Sequence, residues 1–222
     1  MTLECVETET AGEPRFTVIW LHGLGADAHD FEPLVPQLVQ PDWPCIRFVF
    51  PNAAIRPISL NGGLPMRAWY DVAGFDLSQK QDAAGIRASI AEVETLIARE
   101  AERGIAASNV ILTGFSQGGA IALAAGVRQA QKLAAIVALS TYLPIADATA
   151  DERSAANANT PIFWGHGMFD PVVPIVLGER SRDALQAWGY NVEWHQYPMA
   201  HQVCPQEIAD LAEFMTQRFA DR

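Results

Sequence analysis

One pentapeptide constrains the fold of this chain more than any other feature: Gly114-Phe115-Ser116-Gln117-Gly118. An apolar run, residues 109–112, precedes it, and a small-residue run with helical character, residues 120–125, follows it. Gly-x-Ser-x-Gly between a strand and a helix is typical of a turn so tight that only small residues fit beside the serine. Such a turn holds the serine in a strained conformation that projects its hydroxyl above the sheet. The pattern predicts a nucleophilic serine at the edge of an α/β sheet.

Two other interpretations of this turn stay open at this point. Gly-x-Ser-x-Gly arises by chance in many chains, and a glycine-rich turn before a helix can instead bind phosphate. Neither Gly-x-x-x-x-Gly-Lys nor Gly-x-Gly-x-x-Gly occurs in the turn, which weakens the phosphate interpretation. The decision depends on whether the rest of the chain supplies catalytic partners for Ser116.

Length and charge restrict the class of protein. A chain of 222 residues fits one α/β domain, which we expect to span residues 1–222. The 15 Lys and Arg against 26 Asp and Glu give a net charge of −11, which argues against nucleic acid or an anionic membrane as the main partner. Because no apolar run approaches the ~20 residues of a membrane span, we expect no stable membrane insertion.

The cysteines and the N-terminus indicate a compartment. Cys5, Cys45 and Cys204 are an odd number of widely separated cysteines without a Cys-x-x-Cys motif. They read as free thiols in a reducing environment and do not suggest a zinc site. Residues 1–7 lack the basic start and apolar core of a signal peptide. We therefore expect a cytoplasmic protein without a metal or another cofactor.

Strand-like apolar runs alternate with amphipathic helical runs along the chain. Strands are predicted over residues 16–21, 45–50, 109–112, 133–139, 161–166 and 192–197. Helices are predicted over residues 30–39, 82–103, 120–125, 176–188 and 205–219, and residues 52–70 read as a long irregular loop. Strand–helix alternation with strands that are apolar on both faces predicts a mostly parallel central sheet with helices on both faces and no large cap domain.

In such sheets the functional site lies beyond the carboxyl ends of the strands. Asp170 follows the predicted strand 161–166, and His201 follows the predicted strand 192–197. The chain order Ser116, Asp170, His201 is that of the α/β-hydrolase triad. In that chemistry the histidine removes the serine proton during attack and returns it to the leaving group, while the aspartate fixes the imidazole tautomer. We predict these three residues as the catalytic set.

The other four histidines have more ordinary explanations. His22 lies in the loop after the first apolar strand and reads as structural, and His29 lies beside Asp30 at a helix start and reads as solvated. His166 ends a strand and is expected to position the loop of the catalytic acid. His195 lies inside the last strand, from which its side chain cannot easily reach the end of the sheet.

A glycine-rich segment after the first apolar strand, residues 21–27, predicts an oxyanion hole. Two backbone N–H groups can stabilise the negative oxygen of a tetrahedral intermediate. We predict that the amides of Leu24 and Gln117 supply them. The alternative is that Gly23 and Gly25 merely make a turn.

The loop over residues 52–70 is expected to form one wall of the substrate pocket. Its apolar candidates are Ile58, Leu60, Leu64, Met66 and Trp69, and we predict Leu64, Met66 and Trp69 as substrate-binding residues. For Trp69 the alternative is that its ring anchors the loop on the core. An uncapped site favours short-to-medium acyl chains over deeply sequestered lipids.

Four motifs together resemble the phospholipase/carboxylesterase family of α/β hydrolases, which includes bacterial carboxylesterases and acyl-protein thioesterases, also called lysophospholipases. The motifs are residues 21–27, 114–119, 166–174 and 197–201, and the resemblance extends from residue 17 to residue 219. One departure is Ala200, where relatives usually carry glycine, which affects only fine geometry. The resemblance implies the triad Ser116, Asp170 and His201 and an oxyanion hole from Leu24 and Gln117.

The resulting expectation is a cofactor-free serine carboxylesterase that acts on a small-molecule acyl ester. Thioesters and lysophospholipids are further candidate substrates, and the sequence permits a homodimer. A serine peptidase is the alternative enzyme, and a catalytically silent binding protein on a hydrolase scaffold is the alternative of a different class. The intact order of the triad argues against the silent protein, because a binding protein need not keep all these parts.

Overall fold

The computed structural model describes residues 3–74 and 81–220. Its strands, in chain order, are β1 (Cys5–Glu9), β2 (Phe16–Leu21), β3 (Ile46–Pro51), β4 (Ile55–Ile58), β5 (Leu64–Arg67), β6 (Val110–Phe115), β7 (Ala135–Leu139), β8 (Ile162–Gly167) and β9 (Val192–Tyr197). Its α-helices are α1 (Val35–Leu38), α2 (Ala83–Glu102), α3 (Gln117–Arg128), α4 (Ala146–Glu152), α5 (Ile175–Ala187) and α6 (Pro205–Ala220).

Seven of these strands form one sheet in the order β1-β3-β2-β6-β7-β8-β9. Every neighbouring pair is parallel except β1 and β3, which are antiparallel. The inner strands are buried on both faces, and Ile19 of β2 pairs with Val49 of β3 on one side and Leu112 of β6 on the other. A mostly parallel sheet covered on both faces confirms the predicted fold class.

The helices cover the two faces of the sheet unequally. Buried residues of α2, α3 and α5 belong to one apolar cluster, and those of α1 and α6 belong to another on the opposite face. Helix α2 begins after Asp82, whose side chain accepts a hydrogen bond from the Gly85 amide at 2.9 Å. Among the helices of residues 3–74 and 81–220, none is long and apolar enough to cross a bilayer.

Two predicted segments differ from the structure. The helix predicted over residues 30–39 is only a 3₁₀ turn, Glu32–Leu34, followed by the four-residue α1. Pro33 and Pro36 are the cause, because neither can donate a backbone hydrogen bond within a longer helix. The irregular loop predicted over residues 52–70 contains the hairpin of β4 and β5, whose turn uses Gly62 and Gly63 at positive φ.

Two elements have no counterpart in the sequence prediction. Strand β1 lies at the edge of the sheet, where its half-exposed, Glu-rich sequence lacks the continuous apolar signal of the inner strands. Helix α4 is short and polar, with Thr149 as its only fully buried residue. Neither element carries one of the predicted catalytic residues.

Candidate active site

Ser116 lies between β6 and α3 in a conformation that ordinary residues rarely adopt. Its φ is 54° and its ψ is −120°, and its amide donates to the Leu139 carbonyl at 2.9 Å. A Cβ on Gly114 would overlap the backbone of Gly118, and a Cβ on Gly118 would overlap the backbone of Leu21. Glycine is therefore required on both sides of the serine by close contact between backbones.

The three residues predicted from the loops after β6, β8 and β9 lie together. The Nε2 atom of His201 is 2.9 Å from the Ser116 Oγ, and its Nδ1 atom is 2.7 Å from the Asp170 Oδ2. With a neutral imidazole, Nδ1–H donates to the aspartate and Nε2 accepts from the serine hydroxyl. This is the hydrogen-bond arrangement that lets a histidine act as the base toward a serine.

The Asp170 carboxylate is fixed on both oxygens. Its Oδ2 faces His201, and its Oδ1 accepts from the amides of Val172 and Val173, each at 2.8 Å. Burial would raise the pKa of Asp170, but the hydrogen bonds from His201 and the two amides outweigh burial, and the pKa is lowered from its ordinary value. Asp170 is thus an anion near neutral pH and can stabilise a protonated His201.

His166 supports the loop that carries Asp170. Its ring is fully buried, and its Nε2 lies 2.9 Å from the Val173 carbonyl oxygen. Burial lowers the pKa of His166, so the ring is neutral near pH 7 and Nε2–H donates to that carbonyl. The prediction that His166 positions the acid loop agrees with this contact.

The remaining histidines lie apart from the Ser116 hydroxyl. His22 is buried, and its Nε2 accepts from the Ala53 amide at 3.1 Å. His29 is exposed and contacts Glu32, and His195 of β9 contacts Glu193, each at 2.9 Å. These contacts agree with the sequence analysis, which predicts a structural His22, a solvated His29 and a His195 inside the last strand.

The glycine-rich segment after β2 packs against the serine turn. A Cβ on Gly23 would lie 3.5 Å from the Ser116 Cβ, and Leu24 and Gln117 line the same cavity as Ser116 and His201. Gln117 is the first residue of α3. The first amides of a helix have no intrahelical acceptor and lie at the positive end of its dipole. A negative oxygen at this place meets a favourable electrostatic environment.

The side chain of Gln117 has a structural role that was not predicted from the sequence. Its Oε1 accepts from the Trp69 amide and its Nε2 donates to the Tyr70 carbonyl, both at 2.8 Å. Both hydrogen bonds are buried. The Trp69 indole also donates to the His22 carbonyl at 2.9 Å. Gln117 therefore fastens the segment that ends the 52–70 region directly to the serine turn.

The cavity beside Ser116 has a volume of about 340 Å³. Its apolar wall combines the aliphatic side chains of four residues with two tyrosines whose hydroxyls are 2.9 Å apart. These residues are Leu60, Val72, Val173, Leu177, Tyr70 and Tyr142. The wall can accommodate an acyl chain, and the tyrosine pair sets one of its limits.

The predicted pocket residues lie elsewhere, since the described lining of the cavity does not contain Leu64, Met66 or Trp69. Leu64 is 63% exposed on the hairpin, and Met66 contacts the Asn61 amide through its sulfur. Trp69 is fully buried and anchors the segment on the core. Of the five apolar residues proposed in this region, the structure brings Leu60 into the cavity. Leu64 and Met66 lie on β5 outside this lining, and Ile58 and Trp69 are buried in the core, a placement that composition alone does not specify.

A buried carboxyl lies beneath the loop of His201. Glu207, in the first turn of α6, is fully buried, and its side chain fills the space above Gly165 of β8. Burial raises the pKa of Glu207 to about 8; a backbone hydrogen bond at Cys204 opposes the rise and the charge of Asp210 adds to it. Glu207 is thus largely protonated at neutral pH, and it packs against the strand that leads to Asp170.

Comparisons with known proteins agree with this geometry. A model of the family described as phospholipase/carboxylesterase matches residues 3–218. The chain is 39% identical to acyl-protein thioesterase 1 of Neurospora crassa over 211 residues, which cover 91% of this chain and 86% of the relative. It is also 39% identical to acyl-protein thioesterase 1 of Saccharomyces cerevisiae, over 90% of this chain and 92% of the relative.

Solved structures give the same result for the fold. The crystal structure of Zea mays acyl-protein thioesterase 2 superposes with a TM-score of 0.86 at 31% identity, over 97% of this chain and 99% of that one. The crystal structure of the Bacillus cereus carboxylesterase superposes with a TM-score of 0.79 at 17% identity, over 98% of this chain and 95% of that one. The second likeness concerns the fold alone.

Proposed function

Because this chain belongs to the phospholipase/carboxylesterase family, we propose that Ser116, His201 and Asp170 are the catalytic triad of its hydrolase activity. The chain is a hydrolase of carboxylic esters and thioesters. The observation that supports the triad most strongly is the continuous hydrogen-bonded path from the Ser116 Oγ through His201 to Asp170, with links of 2.9 and 2.7 Å.

The first half of the reaction forms an acyl-enzyme. His201 Nε2 takes the proton of the Ser116 hydroxyl while Oγ attacks the carbonyl carbon of the substrate. The amides of Leu24 and Gln117 donate to the resulting oxyanion. The tetrahedral intermediate then breaks its bond to the alcohol or thiol, and His201 returns the proton to that leaving group.

The second half of the reaction releases the acid. Water enters the place of the leaving group and loses a proton to His201 as it attacks the acyl carbon. The new tetrahedral intermediate collapses with return of the proton to the Ser116 Oγ, which regenerates the enzyme. Asp170 stays ionised throughout and stabilises the imidazolium that forms in each half.

We further propose that the acyl chain is short to medium in length. Each methylene group of the acyl chain that is buried against the apolar wall of Leu60, Val72 and Leu177 makes the binding free energy more favourable by about 0.8 kcal/mol. This gain ends where the wall of the 340 Å³ cavity ends.

Three further expectations stay predictions: a single domain over residues 1–222, homodimer formation and a reducing cytoplasmic compartment. The three unpaired cysteines support the reducing compartment.

The test is a substrate panel with the purified protein. Oxyesters and thioesters of acetate, butyrate, octanoate and palmitate are compared with matched peptide amides, with Ser116→Ala as the control for contaminating hydrolases. We expect kcat/KM to rise from acetyl to medium chains and to stop rising at the longer ones. Turnover of peptide amides comparable to that of esters would favour the serine peptidase. If the protein hydrolysed none of the probes, the silent binding protein would be favoured.

A further inference from the structure

One acidic side chain lies in the wall of the cavity that contains Ser116 and His201. Asp30 follows the glycine-rich segment after β2, and it lines this cavity together with Leu24 and Ala26. Within the described lining there is no lysine or arginine. Asp30 therefore brings a negative charge to a cavity whose other walls are mostly apolar.

No lysine or arginine side chain lies beside Asp30 in the described wall of the cavity. Burial raises the pKa of Asp30 above its ordinary value and the charge of Asp27 adds to the rise, while His22 opposes it. His22 is itself buried with a lowered pKa, so its ring is uncharged near pH 7. Across residues 3–74 and 81–220, no ion pair joins the Asp30 carboxylate to a cation. A cation that enters the cavity would find an unpaired carboxylate.

The position of Asp30 points to one half of the cavity. The next residue, Phe31, packs its ring on Phe115 with centroids 5.4 Å apart, and Phe115 packs on His201 with centroids 4.8 Å apart. Because Asp30 is bonded directly to Phe31, we assign Asp30 to the side of the cavity on which this aromatic stack ends at His201. The Tyr70–Tyr142 pair belongs to a different wall, next to the segment that Gln117 fastens.

The chemistry distinguishes these two sides. His201 must return a proton to the departing alcohol or thiol, so the leaving group has to lie within reach of its Nε2. The apolar wall near the tyrosines is suited to the acyl chain. Asp30 is consequently placed where the alcohol or thiol part of the substrate would lie.

We propose that Asp30 forms a leaving-group subsite that selects esters and thioesters whose alcohol or thiol carries a positive charge, an ammonium or guanidinium group. This inference rests on the proposed triad, because the triad defines which side of the cavity receives the leaving group. The proposal deepens the function by naming a substrate class: acyl derivatives of cationic alcohols and thiols. The net charge of −11 adds only a long-range attraction that salt screens.

The test uses butyryl thioesters that differ in the charge of the thiol. Butyrylthiocholine carries a quaternary ammonium, and S-(3,3-dimethylbutyl) thiobutyrate has the same shape without the charge. The butyryl thioester of 3-mercaptopropionate carries a negative charge. We expect kcat/KM for the cationic thioester to exceed that of the neutral one by about two- to fivefold, the size of a partly exposed ion pair, and the anionic thioester to be the poorest substrate.

Asp30→Asn is the informative variant, because it keeps the shape and removes the charge. We expect the ratio of kcat/KM between the cationic and the neutral thioester to fall to about one. Asp27→Asn is the matched control: Asp27 is exposed, as Asp30 is, and lies three residues away, but it is absent from the described lining of the cavity. It removes the same charge from the whole chain. Because the charge of Asp27 raises the pKa of Asp30, its removal favours the ionised Asp30, and we expect the ratio not to fall.

The outcomes separate the two proposals. If the wild type hydrolyses the neutral thioester and Asp30→Asn keeps the full cationic preference, the subsite is wrong while the triad stands. An equal loss in Asp27→Asn would assign the preference to overall charge and would also overturn the subsite. Failure of the wild type to hydrolyse the neutral thioester would defeat the triad itself. Should Asp30→Asn not fold, Asp30→Ser replaces it. In the wild type, the ratio of kcat/KM between the cationic and the neutral thioester must decline between 0.05 and 0.5 M salt, because salt screens the attraction to Asp30.

Discussion

Replacing the buried Glu207 by glutamine should change how the stability of this protein depends on pH. Glu207 is fully buried and its pKa is about 8 in the folded chain, against about 4.3 for a solvated glutamate. Folding therefore takes up a proton between these two values. The stability associated with the neutral carboxyl is fully present below pH 4.3 and is lost as the pH rises through 8.

The size of the effect follows from the two pKa values. Each pH unit inside this window removes about 1.4 kcal/mol from the free energy of unfolding. Between pH 5 and pH 8 the wild type should lose about 3–4 kcal/mol through this one group. Glu207→Gln carries a neutral side chain of nearly the same shape, so it should not lose this contribution.

Urea unfolding at pH 5, 6, 7, 8 and 9 measures the effect as a difference between the variant and the wild type. The advantage of Glu207→Gln should grow by about 3–4 kcal/mol from pH 5 to pH 8 and level off above pH 8. Glu213→Gln on the same helix, at an exposed position, is the control and should follow the wild type. Parallel pH profiles for Glu207→Gln and the wild type would refute the reasoning, because they would mean that the buried carboxyl is not protonated on folding.

Three further predictions concern the serine turn and its partners. Gln117→Leu leaves the buried Trp69 N–H and the Tyr70 carbonyl without partners, which should cost about 1–3 kcal/mol each in urea unfolding and should lower kcat/KM for butyryl esters more than for acetyl esters. Leu24→Pro removes one oxyanion donor and should lower kcat about 10²-fold in a variant whose circular dichroism is unchanged; a smaller loss would place the donor elsewhere. Asp170→Asn should lower kcat by about 10⁴-fold, whereas His195→Ala should stay near the wild-type rate, and a loss in His195→Ala equal to that of Asp170→Asn would refute the assignment of the base.

The sequence was most informative where backbone geometry dictates residue type. Gly114 and Gly118 are required by backbone contacts around Ser116, and this need is visible as a motif. The order of the loops after β6, β8 and β9 also follows from the alternation of strands and helices. For these reasons the predicted fold class was right, and the structure brings together the three residues predicted from separate loops.

The sequence was least informative where a side chain's direction depends on tertiary contacts. Leu64 and Leu60 have the same side chain and lie four residues apart, yet Leu64 is exposed and Leu60 lines the cavity, because the hairpin turns one of them outward. The sequence also could not distinguish the backbone role of Gln117, as an oxyanion donor, from the role of its side chain. The side-chain partners are 47 and 48 residues away along the chain. One sequence feature could have indicated the structural role of Gln117: it is a polar residue directly after the nucleophile, at a helix start that was expected to be buried.

The most direct test of the catalytic assignment is the position of a covalent adduct. A fluorophosphonate should react with the protein once per chain, and mass spectrometry of the digested adduct should place it on Ser116. Ser116→Ala should give no adduct and should lose ester hydrolysis, and His201→Ala should react far more slowly because the serine has lost its base. An adduct on a different serine, or full ester hydrolysis by Ser116→Ala, would contradict the account.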